Sequence, residues 1–221
     1  KHLIHVTGNL KFDVPVPESL VLEGKRLRED WGCGRFVLIA ASTHNGEERL
    51  ILTAFDRLRQ KHPEMLLVLV PRHPERFNGV ARLSKRLGFN VACYSKQDGA
   101  LKPEVEVLIG DTMGELQKFY VASDIAFVGG SLVRIGGHNI LEACAVGVPV
   151  IFGPHMFHME KISAVAVERG VGHQVKGVRT LVDVVASYLK QPALLEKAGI
   201  AARELVVENR GALDRTLCLI G

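Results

Sequence analysis

Cysteine is scarce in this chain, and its spacing offers neither a disulfide framework nor a metal site. The 221 residues include 4 cysteines, which lie far apart at positions 33, 93, 144 and 218. Such spacing, in mostly apolar surroundings, is typical of reduced thiols in a cytosolic protein. His155 and His158 form an H-x-x-H pair, but no obvious third ligand accompanies them. We therefore expect no zinc site.

Long hydrophobic runs are missing as well. No apolar stretch approaches the roughly 18 residues that a helix needs to cross a bilayer. The opening residues, KHLIHVTGNLKFD, lack the sustained apolar region of a signal peptide. We therefore expect the chain to be soluble as it stands, whatever longer protein it comes from.

A strong charge of either sign is also absent, since the formal net charge is +4. No dense Lys/Arg run with interleaved aromatics occurs, so nucleic acid is not an expected partner. The mild positive excess instead fits an anionic ligand or an anionic membrane surface. The hydrophobic fraction is 47%, which is ample for a packed core.

Short apolar runs alternate with longer amphipathic stretches along most of the chain. The apolar runs predict strands at 35–41, 66–70, 90–94, 105–109, 124–128 and 149–152, with 171–174 as a further candidate. The amphipathic stretches predict helices at 46–62, 74–87, 114–122, 138–147, 158–169, 178–190, 193–205 and 208–220. Continuous apolar strands that alternate with helices indicate an α/β fold, a Rossmann-like doubly wound parallel sheet of about six strands.

The first part of the chain has a different character. Pro15 and Pro17 favour an extended segment, and the charged stretch 18–31 predicts a short helix. We therefore divide the chain into a linker with an opening helix, 1–34, and one Rossmann-like domain, 35–221. A chain that opens on a linker is expected to be part of a longer protein.

Two glycine pairs, Gly129-Gly130 and Gly136-Gly137, follow the predicted strand DIAFV. Glycines after a buried strand allow a ligand to approach the backbone, and the N–H groups of a following helix N-terminus favour an anion. Ser131, His138 and Asn139 add polar side chains, while a carboxylate one turn into the helix, Glu142, suits ribose hydroxyls. The alternative is an ordinary strand–turn–helix whose glycines only permit tight packing.

Other polar loops fall at the same predicted edge, where open α/β sheets bind ligands. Ser42 and His44 follow the first strand, Arg72 and His73 follow the second, and Met113 follows the strand at 105–109. Each has a plainer interpretation: Arg72 as a solvated charge, His44 as a loop hydrogen bonder, Met113 as core filler. Asp111 and Thr112 fit a helix cap as well as a ligand contact.

Seven motifs together resemble the Kdo transferases that build the lipopolysaccharide inner core, where Kdo is 3-deoxy-D-manno-octulosonic acid. The motifs are GNLKFD (8–13), ASTHNGEE (41–48), PRHPER (71–76), GDTMGEL (110–116), GGSLV (129–133), GGHNILE (136–142) and GVPVIFGP (147–154). One departure is Ala143-Cys144, where the family usually reads Pro-Ala. The resemblance implies the carboxyl-terminal half of a two-domain GT-B glycosyltransferase, with 35–221 as a nucleotide-sugar domain that binds the donor CMP-Kdo.

The resemblance also implies what lies elsewhere. The family's other half docks to the cytoplasmic face of the bacterial inner membrane, takes the lipid A precursor lipid IVA and carries the acidic general base. This chain is therefore expected to hold no catalytic residue and to be inactive alone. No cofactor or metal is expected. The expected donor-binding residues are Ser42, His44, Arg72, His73, Met113, Gly129, Gly130, Ser131, Gly136, Gly137, His138, Asn139 and Glu142.

Two other functions remain open from the sequence. Another GT-B enzyme, such as a UDP-sugar transferase or a nucleotide-sugar epimerase, would use the same fold and glycine turns, and nucleotide preference would distinguish it. A non-catalytic nucleotide-binding module is the second. An NAD-dependent Rossmann enzyme is disfavoured, because the first strand is followed by ASTHNG rather than G-x-G-x-x-G.

Overall fold

A computed structural model describes residues 5–220 and contains one parallel sheet of seven strands. The spatial order is β3-β4-β2-β1-β5-β6-β7, and every neighbouring pair is parallel. The doubly wound α/β prediction is confirmed, with one strand more than the expected six or so. The strands are β1 (Val37–Thr43), β2 (Leu66–Pro71), β3 (Val91–Cys93), β4 (Val107–Ile109), β5 (Ile125–Val128), β6 (Val150–Phe152) and β7 (Gly172–Gln174).

Helices cover both faces of the sheet. They are α1 (Glu18–Trp31), α2 (Glu47–Arg59), α3 (Phe77–Arg86), α4 (Leu116–Val121), α5 (Leu141–Ala145), α6 (Glu160–Glu168), α7 (Val178–Lys190), α8 (Pro192–Val207) and α9 (Ala212–Ile220). Alternate side chains of one strand reach opposite layers: Ile39 packs in one hydrophobic cluster and Leu38 in the other. This two-sided burial is why the strands read as unbroken apolar runs.

The strand order reverses between β1 and β5, and this position sets the location of the site. The chain runs from β1 outward through β2, then returns to place β5 on the other side of β1. At such a point the loops after the two strands diverge and leave a crevice at their carboxyl ends. The loops in question begin at His44 and at Gly129.

The segment before residue 35 packs on the sheet domain, so the predicted boundary at residue 34 does not separate two bodies. Trp31 is buried, and its ring lies 5.8 Å from that of Phe119 on α4. Arg28 Nη1 lies 3.0 Å from the Asp124 carboxylate, and Phe12 is also buried in the core. The opening helix predicted at 18–31 is present as α1.

The helix predicted at 138–147 is shorter than expected, and this changes the geometry of its polar residues. Helix α5 begins only at Leu141, whose N–H donates to Asn139 Oδ1 over 3.1 Å. His138 and Asn139 therefore precede the helix. The spacing that would stack His138 and Glu142 on one helical face does not apply.

Candidate functional site

Three histidines from three loops meet in the crevice. His44 follows β1, His73 follows β2 and His138 precedes α5. The Nε2 atoms of His44 and His138 are 2.7 Å apart, and the two rings are nearly parallel with centroids 5.0 Å apart. The His73 ring meets that of His44 edge-on at 5.4 Å. The loops thus bring together imidazoles that lie 94 positions apart in the sequence.

Burial and nearby positive groups disfavour a positive charge on His44 and His138. The pKa of His138 is lowered to about 4, mainly by burial, with His44 and Arg72 adding unfavourable positive charge. Burial also lowers the pKa of His44, although Glu47 partly opposes it. Both rings therefore favour the uncharged form near pH 7.

Arg72, Asn139 and Glu142 form the other part of the crevice. Asn139 Nδ2 donates to Glu142 Oε1 over 3.2 Å, and the Arg72 guanidinium acts electrostatically on both Glu142 and His138. Burial raises the pKa of Glu142, while Asn139 and Arg72 oppose the shift. A cation, a carboxylate and an amide accordingly lie close together, although no ion pair joins Arg72 directly to Glu142 among the salt bridges of the described residues.

The first glycine pair does not offer its N–H groups to a ligand, contrary to the prediction for Gly130 and Ser131. Glu47 Oε2 accepts from Gly130 N over 2.8 Å, and Oε1 accepts from Ser131 N over 3.0 Å and from Leu132 N over 2.9 Å. Glu47 Oε2 also accepts from His44 N at 2.9 Å. The anion in this backbone nest is a carboxylate of the chain itself.

Ser131 has a structural role rather than the predicted contact with the donor. Its side chain is fully buried, its Oγ donates to Val128 O over 2.6 Å, and it accepts from Gly153 N over 2.8 Å. These bonds join the ends of β5 and β6. No part of the hydroxyl is left to reach a ligand.

Tight loop packing accounts for the glycines, as the alternative interpretation supposed. A Cβ on Gly129 would clash with the backbone of Ser42 and Thr43, and one on Gly137 would clash with Met156. Gly136 lies against the rings of Phe157 and His158. The N–H groups of Gly136 and Gly137 both donate to Gly130 O, so they too are occupied.

Unoccupied donors lie one step further along this loop. The N–H groups of His138 and Asn139 donate to no acceptor within residues 5–220. The turn at 136–139 therefore keeps part of its predicted capacity for an anion. The donors come from its last two residues rather than from the glycines.

Ser42 and Met113 are placed differently from the cluster. Ser42 has a φ of +54°, at the irregularity where the β1–β2 register shifts. Such left-handed backbone in a non-glycine residue marks local strain beside the crevice.

Met113 is exposed after β4, which β2 separates from β1, and no described contact joins it to the histidines. Asp111 does not cap α4, because it accepts from Ser95.

Sequence reasoning missed three contributors to the site. Glu47 holds the two loops together, and Glu48 pairs with Arg76 and accepts from Thr43 Oγ1. The available signal was the pair of glutamates that follows Gly46 at the end of a predicted strand. Acidic residues are also common in the first turn of any helix, so the signal was not specific. His158 lies near enough to His138 to lower its pKa, and the H-x-x-H pair had marked its loop only as a weak metal candidate.

Three further properties of the described residues bear on function. Within residues 5–220, no three His, Cys, Asp or Glu side chains are grouped so that they could hold a metal ion. None of the helices in the same range is both long and apolar enough to span a bilayer. A cavity of about 710 Å³ opens beside α6 between Arg134, His155, Phe157 and Glu160.

Comparison with known proteins gives a consistent result. The family described as "Glycosyl transferases group 1" matches residues 38–205. A 3-deoxy-D-manno-octulosonic acid transferase of Haemophilus influenzae is 43% identical over the whole chain, and one of Bordetella pertussis is 39% identical over 96% of it. These matches cover 52% and 50% of the two relatives, so the chain spans about half the length of the curated relatives it matches.

Solved structures agree with these relatives. The crystal structure of the C-terminal CMP-Kdo binding domain of WaaA from Acinetobacter baumannii superposes with a TM-score of 0.80 and 30% identity, covering 86% of this chain and 99% of that one. Anabaena HepE in complex with UDP and glucose, at 15% identity and a TM-score of 0.63, covers 96% of this chain and 53% of that one, and shares the fold. The chain belongs to the group 1 glycosyltransferases of GT-B fold and, within them, to the carboxyl-terminal domains of the Kdo transferases.

Proposed function

We propose that this domain binds CMP-Kdo as the donor half of a transferase that adds Kdo to a lipid A precursor. The observation that carries the proposal is the meeting of Arg72, a histidine cluster and Glu142 at the sheet's switch point. A CMP-sugar with a phosphodiester and a sugar carboxylate is anionic at one end and carries ribose hydroxyls at the other. The crevice has complementary groups for both.

The anionic end of the donor is assigned to Arg72 and to the loop at 138–139. Arg72 supplies a fixed positive charge near His138, and the N–H groups of His138 and Asn139 have no acceptor among the described residues. A guanidinium and backbone N–H groups bind phosphate through charge-assisted hydrogen bonds. This assignment replaces the one that relied on Gly130 and Ser131.

The ribose is assigned to Glu142. A carboxylate repels phosphate, so its natural partner in a nucleotide is a neutral hydroxyl that donates to it. Asn139 holds Glu142 through Oε1, and the second carboxylate oxygen accepts no hydrogen bond from residues 5–220. That oxygen is the proposed acceptor for a ribose hydroxyl.

In the proposed reaction this domain binds and orients the donor and stabilises the departing CMP. The negative charge that grows on the phosphate as the bond to the anomeric carbon breaks would face Arg72 and the N–H groups of the 138–139 turn. The base that deprotonates the acceptor hydroxyl is assigned to the part of the relatives that this chain does not span. We also propose that the lipid A precursor, and contact with the cytoplasmic face of the inner membrane, belong to that part.

We propose that donor binding requires no metal ion. Arg72 and backbone N–H groups can supply the positive potential that a metal supplies in other nucleotide sites. Titration with CMP in the presence of EDTA should therefore give the same Kd as titration without it. A loss of affinity that added Mg²⁺ restores would contradict this part of the proposal.

Calorimetric titration with CMP and UMP tests the nucleotide assignment. We expect CMP to bind more tightly than UMP, and cytidine to bind much more weakly than CMP because the phosphate contacts are missing. A preference for UMP or UDP would favour the alternative, a UDP-sugar enzyme. The UDP-bound structure described above shows that this fold also occurs in a protein that binds UDP.

A further inference from the structure

The contact between His44 and His138 restricts how many protons the pair can hold. Their Nε2 atoms are 2.7 Å apart, a hydrogen-bonding distance at which one Nε2 donates and the other accepts. Two protonated Nε2 atoms would face each other as donors. In this arrangement the pair therefore holds one proton between the rings and is either neutral or singly charged.

The charges around the pair decide between those two states. Arg72, His73, Arg76 and His158 raise the cost of a positive charge on one ring or the other. Glu47 and Glu48 are the carboxylates that favour a charge on His44. Glu47 already accepts four backbone N–H bonds, and Glu48 pairs with Arg76 and Thr43, so neither is free to pair with an imidazolium.

An anion in the crevice would reverse this balance. A phosphodiester beside the rings attracts positive charge, and closure of the site around it removes the water that would screen the attraction. The next proton can go to Nδ1 of the ring that donates, so that the Nε2–H···Nε2 bond is retained. The histidine pair then becomes a cation next to Arg72.

We propose that the His44–His138 pair takes up one proton from solvent when an anionic nucleotide binds in the crevice. This inference rests on the proposed function, since it identifies the crevice as the donor's anion site. By linkage, the affinity for the anion rises as the pH falls, by at most about tenfold per pH unit for one proton. An uncharged nucleoside brings no such attraction, so its affinity does not depend on pH in the same range.

The probe must not titrate itself, and CMP fails this condition because a phosphate monoester has a pKa of about 6. The methyl ester of CMP is a phosphodiester, as is the phosphate of the donor, and it keeps one negative charge throughout the range. Calorimetric titration of the chain with this ester at about pH 7, in buffers of different ionisation enthalpy, counts the protons bound. The matched titration uses cytidine.

We expect uptake approaching one proton with the methyl ester and none with cytidine. His138→Gln should abolish the uptake, and so should His44→Gln, which serves if the first variant does not fold. His62→Gln is the control, because His62 precedes β2 at the opposite edge of the sheet and should leave the uptake unchanged.

The outcomes separate the two proposals. Binding of the methyl ester without proton uptake, or unchanged uptake in a folded His138→Gln, overturns the inference and leaves the donor assignment intact. If the methyl esters of CMP and UMP bind equally well and both binding events take up a proton, the preference for cytosine over uracil is overturned. The proton-linked anion site is then retained. If neither ester binds, both proposals are overturned.

Discussion

Glu47→Gln is expected to destabilise the domain by about 4 kcal/mol. The wild-type carboxylate accepts from Ser131 and Leu132 through Oε1 and from His44 and Gly130 through Oε2. Glutamine retains one accepting oxygen and replaces the other with an NH₂ group that can only donate. Two N–H groups, one buried and one partly buried, then lack an acceptor at about 1–3 kcal/mol each, and the two remaining bonds lose their charge assistance.

Urea unfolding monitored by circular dichroism measures this difference. Glu75→Gln is the matched control, because Glu75 is exposed in the turn before α3 and should change stability by no more than about 0.5 kcal/mol. If Glu47→Gln costs less than about 1 kcal/mol, the carboxylate does not hold the two loops as described. A folded Glu47→Gln should also bind CMP more weakly, since Glu47 positions the loops that carry His44 and His138.

Three further predictions concern single residues of the crevice. Glu142→Gln should weaken CMP by about 1–3 kcal/mol through the loss of charge-assisted hydrogen bonds, with little effect on 2′,3′-dideoxy-CMP, whose ribose hydroxyls are absent. Arg72→Ala should weaken CMP and dideoxy-CMP alike and cytidine much less, and the loss should shrink as salt rises. The domain without nucleotide should lose stability as the pH falls from about 7 towards 4, because the pKa of His138 is near 6.5 in the unfolded chain and about 4 in the folded one. Urea unfolding at both ends of this range measures the loss in the free energy of unfolding, which should be smaller in His138→Gln than in the wild type.

Each of these has an outcome that contradicts it. Equal losses for CMP and dideoxy-CMP in Glu142→Gln would reject the ribose role. If Arg72→Ala weakened cytidine as much as CMP, the phosphate role would be rejected. A stability difference between the two pH values that His138→Gln leaves unchanged would place the titrating group elsewhere.

Local pattern was sufficient to predict the architecture. The run VLIAAST of β1 is apolar along most of its length because both faces of the strand are buried. Such a run can be recognised from a few consecutive residues of the sequence. The chain belongs to the predicted family, and the polar loops after β1, β2 and β5 meet at one edge because parallel strands end there. Helix limits were less accurate: α5 begins at Leu141, three residues after the predicted start, and the Leu141 N–H donates to Asn139 Oδ1.

The sequence by itself determined the fold, the family and the edge at which the polar loops gather. Only the tertiary structure decided which groups remain free to bind. The N–H groups of Gly130 and Ser131 could have served a ligand, but a carboxylate more than 80 positions earlier in the chain accepts from them. His44 and His138 lie 94 positions apart in the sequence, yet their Nε2 atoms are 2.7 Å apart. Hydrogen bonds between loops that are remote in sequence leave no periodic signal, because they depend on how the sheet brings the strand ends together.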